Sequence, residues 1–392
     1  MINKIVKNGL CLGCGLCSSV LGKDKCEMVL TEKGFYEPKA KQPMTKKENK
    51  IVKQLCPSIH VESSPHEGVW GSIKSIAEAW SAYPEIRHKA ASGGVITSLA
   101  IYLVEQHKVD AILQVGVRDD SYLYNELKIS RSREDILRNA QSRYAPALVF
   151  YNIKQILDSS DETYAFIGKP CDMAAMRNFI KIYPEYSSRF EYFISIFCAG
   201  IPSYEATIKL WMQSGHVDIP ERLQYRGNGW PGNFTAEFRN GDKYEKNYNE
   251  SWGTVLNKHL PFRCKICPDG IGMLADIAVG DSWNTKDGYP DFTEADGRCF
   301  CMVRTKKGSE LMNLAEKAGY IINNPLDITT IKDKQKYQYE RRKLTGWRII
   351  PVQLFTFGVL NFRGLGIYKQ ASSANVKIGI NNMIGTIKRF IK

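Results

Sequence analysis

Cys11, Cys14 and Cys17 stand at three-residue intervals in GLCLGCGLCSS, with glycines between them. Thiolates are soft ligands, and this spacing puts three of them on one tight turn, which suits iron–sulfur chemistry or zinc. In the C-x2-C-x2-C-x3-C-P run of two-cluster iron–sulfur proteins, the fourth cysteine of each run ligates the other cluster. Position 21, where the first run would continue, is Leu21, whereas KQLCPSI supplies Cys56-Pro57. Counting back from Cys56 by the same spacing lands on Val52, Asn49 and Lys46. Cys11, Cys14, Cys17 and Cys56 therefore make the complete ligand set of one cluster, and all four ligands of the other are missing together. Zinc usually takes two paired knuckles, so the third evenly spaced cysteine favours a 4Fe–4S cluster. Cys26 is left over and reads as a small buried hydrophobe.

Four more cysteines fall where an α/β chain builds sites. TYAFIGKPCDMAAMRNFI reads as a strand, a turn at Gly168-Lys169-Pro170, and a helix beginning near Cys171. EYFISIFCAGIPSYEATIKLW repeats the pattern, with a strand ending at Cys198 and a helix after it. Parallel strands bring their carboxyl ends to one sheet edge, so Cys171 and Cys198 can be neighbours. FRCKICPDGIGMLADIAVGDSW adds a C-x2-C knuckle, Cys264 and Cys267, followed by a strand and a turn at Gly280-Asp281. Together they form a candidate second four-thiolate site. The spacing equally fits two core cysteines beside a redox pair. Cys299 and Cys301, two apart in a strand, share one face and read as packing.

The elements that must hold these groups follow from the apolar pattern. VDAILQVGV reads as a buried strand. SGGVITSLAIYLVEQH reads as a helix opened by Ser92-Gly93-Gly94, whose backbone N–H groups could meet a phosphate, a feature many helices share. A polar stretch over 58–70 divides residues 1–62, a small cysteine module, from an α/β body whose two parts cover 70–155 and 156–325. The net charge of +13 is concentrated in residues 326–392, where thirteen Lys and Arg face three acids. No nucleic-acid reading module accompanies that charge.

No run of ~18 apolar residues appears, and the first twenty residues have no apolar h-region. The expected setting is the cytoplasm, where cysteines more often serve metals than disulfides. Six histidines form no ligand-spaced pair and no G-x-S-x-G motif occurs, which leaves hydrolase chemistry unsupported. WRIIPVQLFTFGVLNFRGLGIY in the tail is apolar but broken by Pro351, Gln353 and Gly358. Such a basic, amphipathic segment could lie peripherally on the inner membrane surface, dock an acidic partner, or simply cover the body.

Taken in order, CLGCGLC…LCP, ASGGVIT, QSRYAPA, IGKPCDMAAMR, FCAG and RCKICPDGIGMLADIAVGDSW resemble the coenzyme F-420 hydrogenase/dehydrogenase beta subunit family. The resemblance covers roughly residues 1–325 and is to bacterial members with a fused N-terminal ferredoxin-like module. It implies an α+β/α/β fold: a small ferredoxin-like module, an α/β flavin-binding body with a mixed sheet, and a basic C-terminal extension. It also implies FAD together with one or more 4Fe–4S clusters, the body cluster falling on Cys171, Cys198, Cys264 and Cys267. FAD contacts would fall on Ser92, Gly93, Gly94, Thr97, Ser142, Tyr144, Gly168, Lys169, Gly280 and Asp281.

Lys169 is the catalytic candidate, through an anionic group of flavin or substrate, with a solvated turn residue as the alternative. The implied function is an oxidoreductase relaying electrons from ferredoxin, or a similar donor, through the clusters to FAD. From there they would reach a small organic substrate or a deazaflavin coenzyme. An electron-transfer subunit docking a hydrogenase or dehydrogenase partner, without catalysis of its own, is the alternative; a zinc-stabilised binding protein is a third. The second N-terminal cluster of longer relatives is missing, and the basic tail has no counterpart in the resemblance.

Overall fold

Runs such as AIL, YAFIG and FISI are apolar at nearly every position, the mark of strands buried on both faces. In the computed structural model, which describes residues 1–66 and 68–391, they form the parallel centre of an eight-stranded mixed sheet. Glu67, in the polar stretch, and Lys392, the last residue of the tail, lie outside the described residues. In chain order the strands are β1 (Ser75–Ser81), β2 (Ala111–Arg118), β3 (Ser121–Ser130), β4 (Tyr164–Gly168), β5 (Phe190–Ile196), β6 (Ile277–Asp281), β7 (Cys299–Val303) and β8 (Ile321–Pro325). Their spatial order is β8-β1-β7-β6-β5-β4-β2-β3. Strands β2, β4, β5 and β6 are parallel, and the flanking pairs are antiparallel.

Successive side chains on a strand face opposite ways. Ile112, Ala165 and Ile194 accordingly pack with helix α1 (Val95–Glu105) on one face. Ala111, Leu113, Phe166 and Phe193 pack with helix α2 (Pro170–Ile182) on the other. Gly94 caps α1 with φ +77°, a left-handed conformation that costs glycine little, and a Cβ there would press on Ser81 and Ile86. Pro170 opens α2, where its missing N–H is no loss. The Asp172 carboxylate accepts the Lys169 backbone N–H at 3.0 Å.

Three local expectations are corrected. Strand β5 stops at Ile196, short of Cys198, and helix α3 begins only at Tyr204 (Tyr204–Met212). Gly280-Asp281 is not a turn: both residues lie in β6, because the antiparallel ladder to Phe300 and Cys299 continues through them. Pro351 does not break the tail, since helix α4 runs through it from Lys336 to Phe355. A proline there forfeits one backbone hydrogen bond and crowds the carbonyl four residues back, but Pro351 is buried, so packing offsets the loss.

The N-terminal segment has an antiparallel hairpin, Cys26–Leu30 with Tyr36–Ala40, and a helix, Lys46–Leu55, opened by a Thr45/Glu48 capping box. Its apolar residues pack beyond their own segment. Ile2, Ile5, Val52 and Ile59 join Ala174 of α2 and Ile349, Val352 and Leu360 of the tail in one buried cluster. Residues 60–62 pair in parallel with 361–363, tying the two ends together. The tail closes with helix α5 (Val376–Ile391), where a Cβ at Gly379 would overlap the Trp347 indole of α4.

Candidate functional site

Gly13 and Gly15, at φ +69° and +81°, turn the backbone between the first three cysteines. The Gly13 N–H donates to Cys11 Sγ at 3.3 Å. Cys56 caps the C-terminal end of helix Lys46–Leu55. All four thiols line a single apolar recess together with Leu16 and Val52. Burial pushes the Cys14 thiol up to about 12 and raises Cys11 and Cys56 as well, and neighbouring thiols of the set add repulsion at Cys11 and Cys14. Cys17 is raised chiefly by a hydrogen bond to Cys26, then by burial. Cys26 is fully buried, as its reading required, and it also touches Cys17.

The second set assembles from three distant parts of the chain. Cys171 lies in the first turn of α2, Cys198 follows β5, and Cys264 and Cys267 flank the end of the short helix Phe262–Lys265. Burial pushes the Cys198 thiol up to about 12, followed by repulsion from Cys264 and Cys267. Cys171 is raised by burial, then by Asp172, Cys198 and Cys267. The knuckle faces two further thiols.

All eleven cysteines are free. Among the described residues no three His, Cys, Asp or Glu side chains converge as they would around a single ion. Soft donors spaced around an enclosed recess fit a cluster that brings its own iron and sulfide. The two sets adjoin: Cys14, Leu12 and Pro57 share one small recess with Cys171, Lys169 and Asp172.

A cavity of about 310 Å³ opens at the carboxyl edge of the parallel strands, within the range of small-molecule sites. Ser92, Gly94 and Thr97 line it at the start of α1, with Ser142 and Tyr144 beside them. Gly168, Lys169, Gly280 and Asp281 line its sheet side, and Cys198 reaches it from the second thiol set. Gly93 does not line it, being packed against the backbone of Arg298 and Cys299. Cys299, read as packing, is buried but also reaches the cavity, 3.1 Å from Ser92 Oγ; Cys301 is wholly in the core.

Lys169 is not a solvated turn residue. Its ammonium pairs with Asp172 at 2.7 Å. Although burial opposes the charge, Asp172 and then Cys171 hold it protonated well above the ordinary lysine range.

Sequence reasoning missed the opposite wall. Arg226, 3% exposed, holds Asp281 through two hydrogen bonds of 3.0 Å each. The Trp230 indole N–H donates to the same carboxylate at 2.8 Å, and Trp230 stacks on Trp283 with centroids 4.6 Å apart. Tyr248 and Trp252 complete that wall. The signal was RGNGWPG at 226–232, three glycines around an arginine and a tryptophan, the composition of a loop made for close approach. Gly227, Gly229 and Gly232 all have positive φ.

The family model described as coenzyme F420 hydrogenase/dehydrogenase, beta subunit N-term, matches residues 76–154, and the model for the C terminus of that subunit matches residues 161–329. A coenzyme F420-dependent sulfite reductase of Methanocaldococcus jannaschii is 25% identical over 388 residues, covering 94% of this chain and 56% of its own length. That match takes in parts of the chain on both sides of residues 76–329, so the tail does have a counterpart. An F420-dependent formate dehydrogenase subunit beta of the same organism is 26% identical, covering 60% of this chain and 58% of the relative. The chain thus spans little more than half the length of these two relatives.

A coenzyme F420 hydrogenase subunit beta of Methanococcus voltae is 25% identical over 66% of this chain and 86% of its own. A chain of the F420-reducing [NiFe] hydrogenase complex from Methanosarcina barkeri superposes with TM-score 0.58 at 20% identity, over 76% of this chain and 98% of that one, and so shares the fold. With both halves of one family model matched in order across more than half of its residues, this chain belongs to the coenzyme F420 hydrogenase/dehydrogenase beta subunit family.

Proposed function

We propose that this protein is an iron–sulfur flavoprotein oxidoreductase. Cys11, Cys14, Cys17 and Cys56 would hold one 4Fe–4S cluster, Cys171, Cys198, Cys264 and Cys267 a second, and the 310 Å³ cavity FAD. The observation that carries the reading is continuity. Cys14 and Cys171 share one recess, and Cys198 lines the cavity beyond it.

When bound, the clusters carry single electrons and a flavin couples them to two-electron reduction of an organic molecule. The chain's residues supply position and field. The α1 N-terminus presents backbone N–H groups to an anionic group such as a phosphate. Lys169, kept cationic by Asp172, offers a fixed positive charge at the sheet edge. Arg226 and Asp281 brace the Trp230–Trp283 stack as an aromatic wall that excludes water.

The relatives' names make a deazaflavin coenzyme the favoured substrate class, and a ferredoxin-type protein suits the donor side. The second reading, an electron-transfer subunit docked to a larger enzyme, draws on the hydrogenase and formate dehydrogenase subunits among the relatives. No helix of the described residues is long and apolar enough to cross a membrane. The test is anaerobic purification with iron, sulfide, zinc and flavin analysis on one sample. About eight irons (two cubes of four) with one FAD are expected, and zinc without flavin would overturn the reading.

A further inference from the structure

The basic tail sends Arg341 and Arg342 into the body; Arg342 faces Cys267, and Arg341 faces three of the thiols. Arg341 of α4 is 3% exposed. Its Nη1 donates to the carbonyls of Cys198 (3.3 Å) and Ala199 (3.2 Å), and its Nη2 to the carbonyl of Cys264 (2.5 Å). Gln338, on the same helix, donates to the Cys198 carbonyl at 2.8 Å. Arg341 Nε and Gln338 Oε1 are buried and have no hydrogen-bond partner. The anionic candidates around Arg341 are Cys267, Cys264, Cys198 and Tyr337, with no carboxylate among them. A buried cation without a counter-ion is costly, and the groups placed to supply one are the thiols.

The two thiol sets differ in the charge around them. The first meets its cations on the side toward the second set: Arg263 beside Cys56, and Lys169 beside Cys14. Two carboxylates oppose them, Glu37 at Cys11 and Asp172 at Cys14. The second set faces Lys169 at Cys171 and Cys198, Arg341 at Cys198 and Cys264, Arg263 at Cys264 and Arg342 at Cys267, with Asp172 opposing them at Cys171. Arg263 is 1% exposed, donates to the carbonyls of Ser58 (2.6 Å) and Pro57 (3.1 Å), and leaves Nη1 without a partner. Net charge and hydrogen bonding around a cluster set its potential, and nearby positive charge favours the reduced, more negative form.

We propose that Arg341 is the resident counter-ion of the Cys171/Cys198/Cys264/Cys267 site and makes it the more easily reduced of the two. Electrons then run from the N-terminal site to the body and on to the cavity. The step moves one electron from an external one-electron donor protein of the iron–sulfur class through the first site to the second; no bond is made or broken. Arg341 acts as a positioning residue. The inference rests on the reading that both sets hold 4Fe–4S clusters, and it gives the tail a role inside the relay.

The test is an anaerobic potentiometric titration, followed by electron paramagnetic resonance, of the full chain, R341Q and R341K, with iron counted on each. A Cys56→Ser chain, lacking the first cluster, assigns the signals. The wild-type body site is expected at the higher midpoint. R341Q is expected to lower that midpoint alone by about 59 mV or more, a tenfold fall in the reduced-to-oxidised ratio at fixed potential for a one-electron couple. R341K is expected to stay near wild type. Full iron with both midpoints unmoved in R341Q overturns the proposal. If R341Q sheds iron, the wild-type order decides, and a higher midpoint at the N-terminal site overturns it. A wild-type chain without iron sinks the cluster reading instead.

Discussion

Arg226 and Asp281, 55 residues apart in the chain, meet inside the protein through two hydrogen bonds of 3.0 Å each. Trp230 adds its indole N–H to the same carboxylate. Three parts of the chain, the RGNGWPG loop, the end of β6 and Trp283, are thereby locked into one wall of the cavity. Removing one partner of such a pair leaves the other buried and uncompensated, at about 3–5 kcal/mol. Asp281→Asn is therefore expected to lower the melting temperature markedly and to reduce bound flavin. Unchanged flavin content and melting temperature would show that the pair does not hold this wall.

Iron content separates the thiol sets. Cys56→Ser and Cys264→Ser should each halve the iron, from about eight to about four per chain. Cys299→Ser, which removes a cavity-lining thiol outside both sets, should leave iron untouched. Loss of iron in the Cys299 variant, or its retention in the other two, contradicts the assignment.

Gly280 is held to glycine by its surroundings rather than by its backbone. A Cβ there would lie 2.5 Å from the Phe300 ring, which packs edge-on against Phe197 at 4.8 Å. Gly280→Ala should cost roughly 1–3 kcal/mol by overpacking, read by chemical denaturation. No loss of stability would mean that the two rings yield freely.

The ends of α4 and α5 present an apolar tip ringed by positive charge. Leu354, Phe357 and Ile391 are 72%, 89% and 71% exposed. Phe355 stacks on Phe390, Lys4 sits 5.9 Å from the Phe357 ring, and Lys388 and Arg389 close the last turn of α5. From Arg341 to Lys392 the sequence has no Asp or Glu. That combination fits peripheral contact with an anionic lipid surface. The full chain should float with vesicles containing phosphatidylglycerol and not with pure phosphatidylcholine. L354S/F357S should lose flotation and keep its iron. Flotation unaffected by these changes, or absent from both vesicles, would leave the tip to a protein partner.

The N-terminal cysteine set was legible in the sequence because its turn is local: three ligands lie within seven residues, and the spacing alone defines them. The central strands were legible too, since two-sided burial writes itself as apolar runs at 111–113 and 164–168. The body cysteines were a candidate site from their spacing and strand-end placement, which the family resemblance reinforced, while most of the proposed flavin contacts came from the resemblance. Tertiary structure alone decided the rest. Nothing in periodicity says that Arg226 finds Asp281, or that Arg341 turns inward to the carbonyls of Cys198 and Cys264. A charge in a sequence looks the same whether it faces water or a buried acceptor. Only packing across the sheet edge, with the two ends of the chain joined at 60–62 and 361–363, determines which.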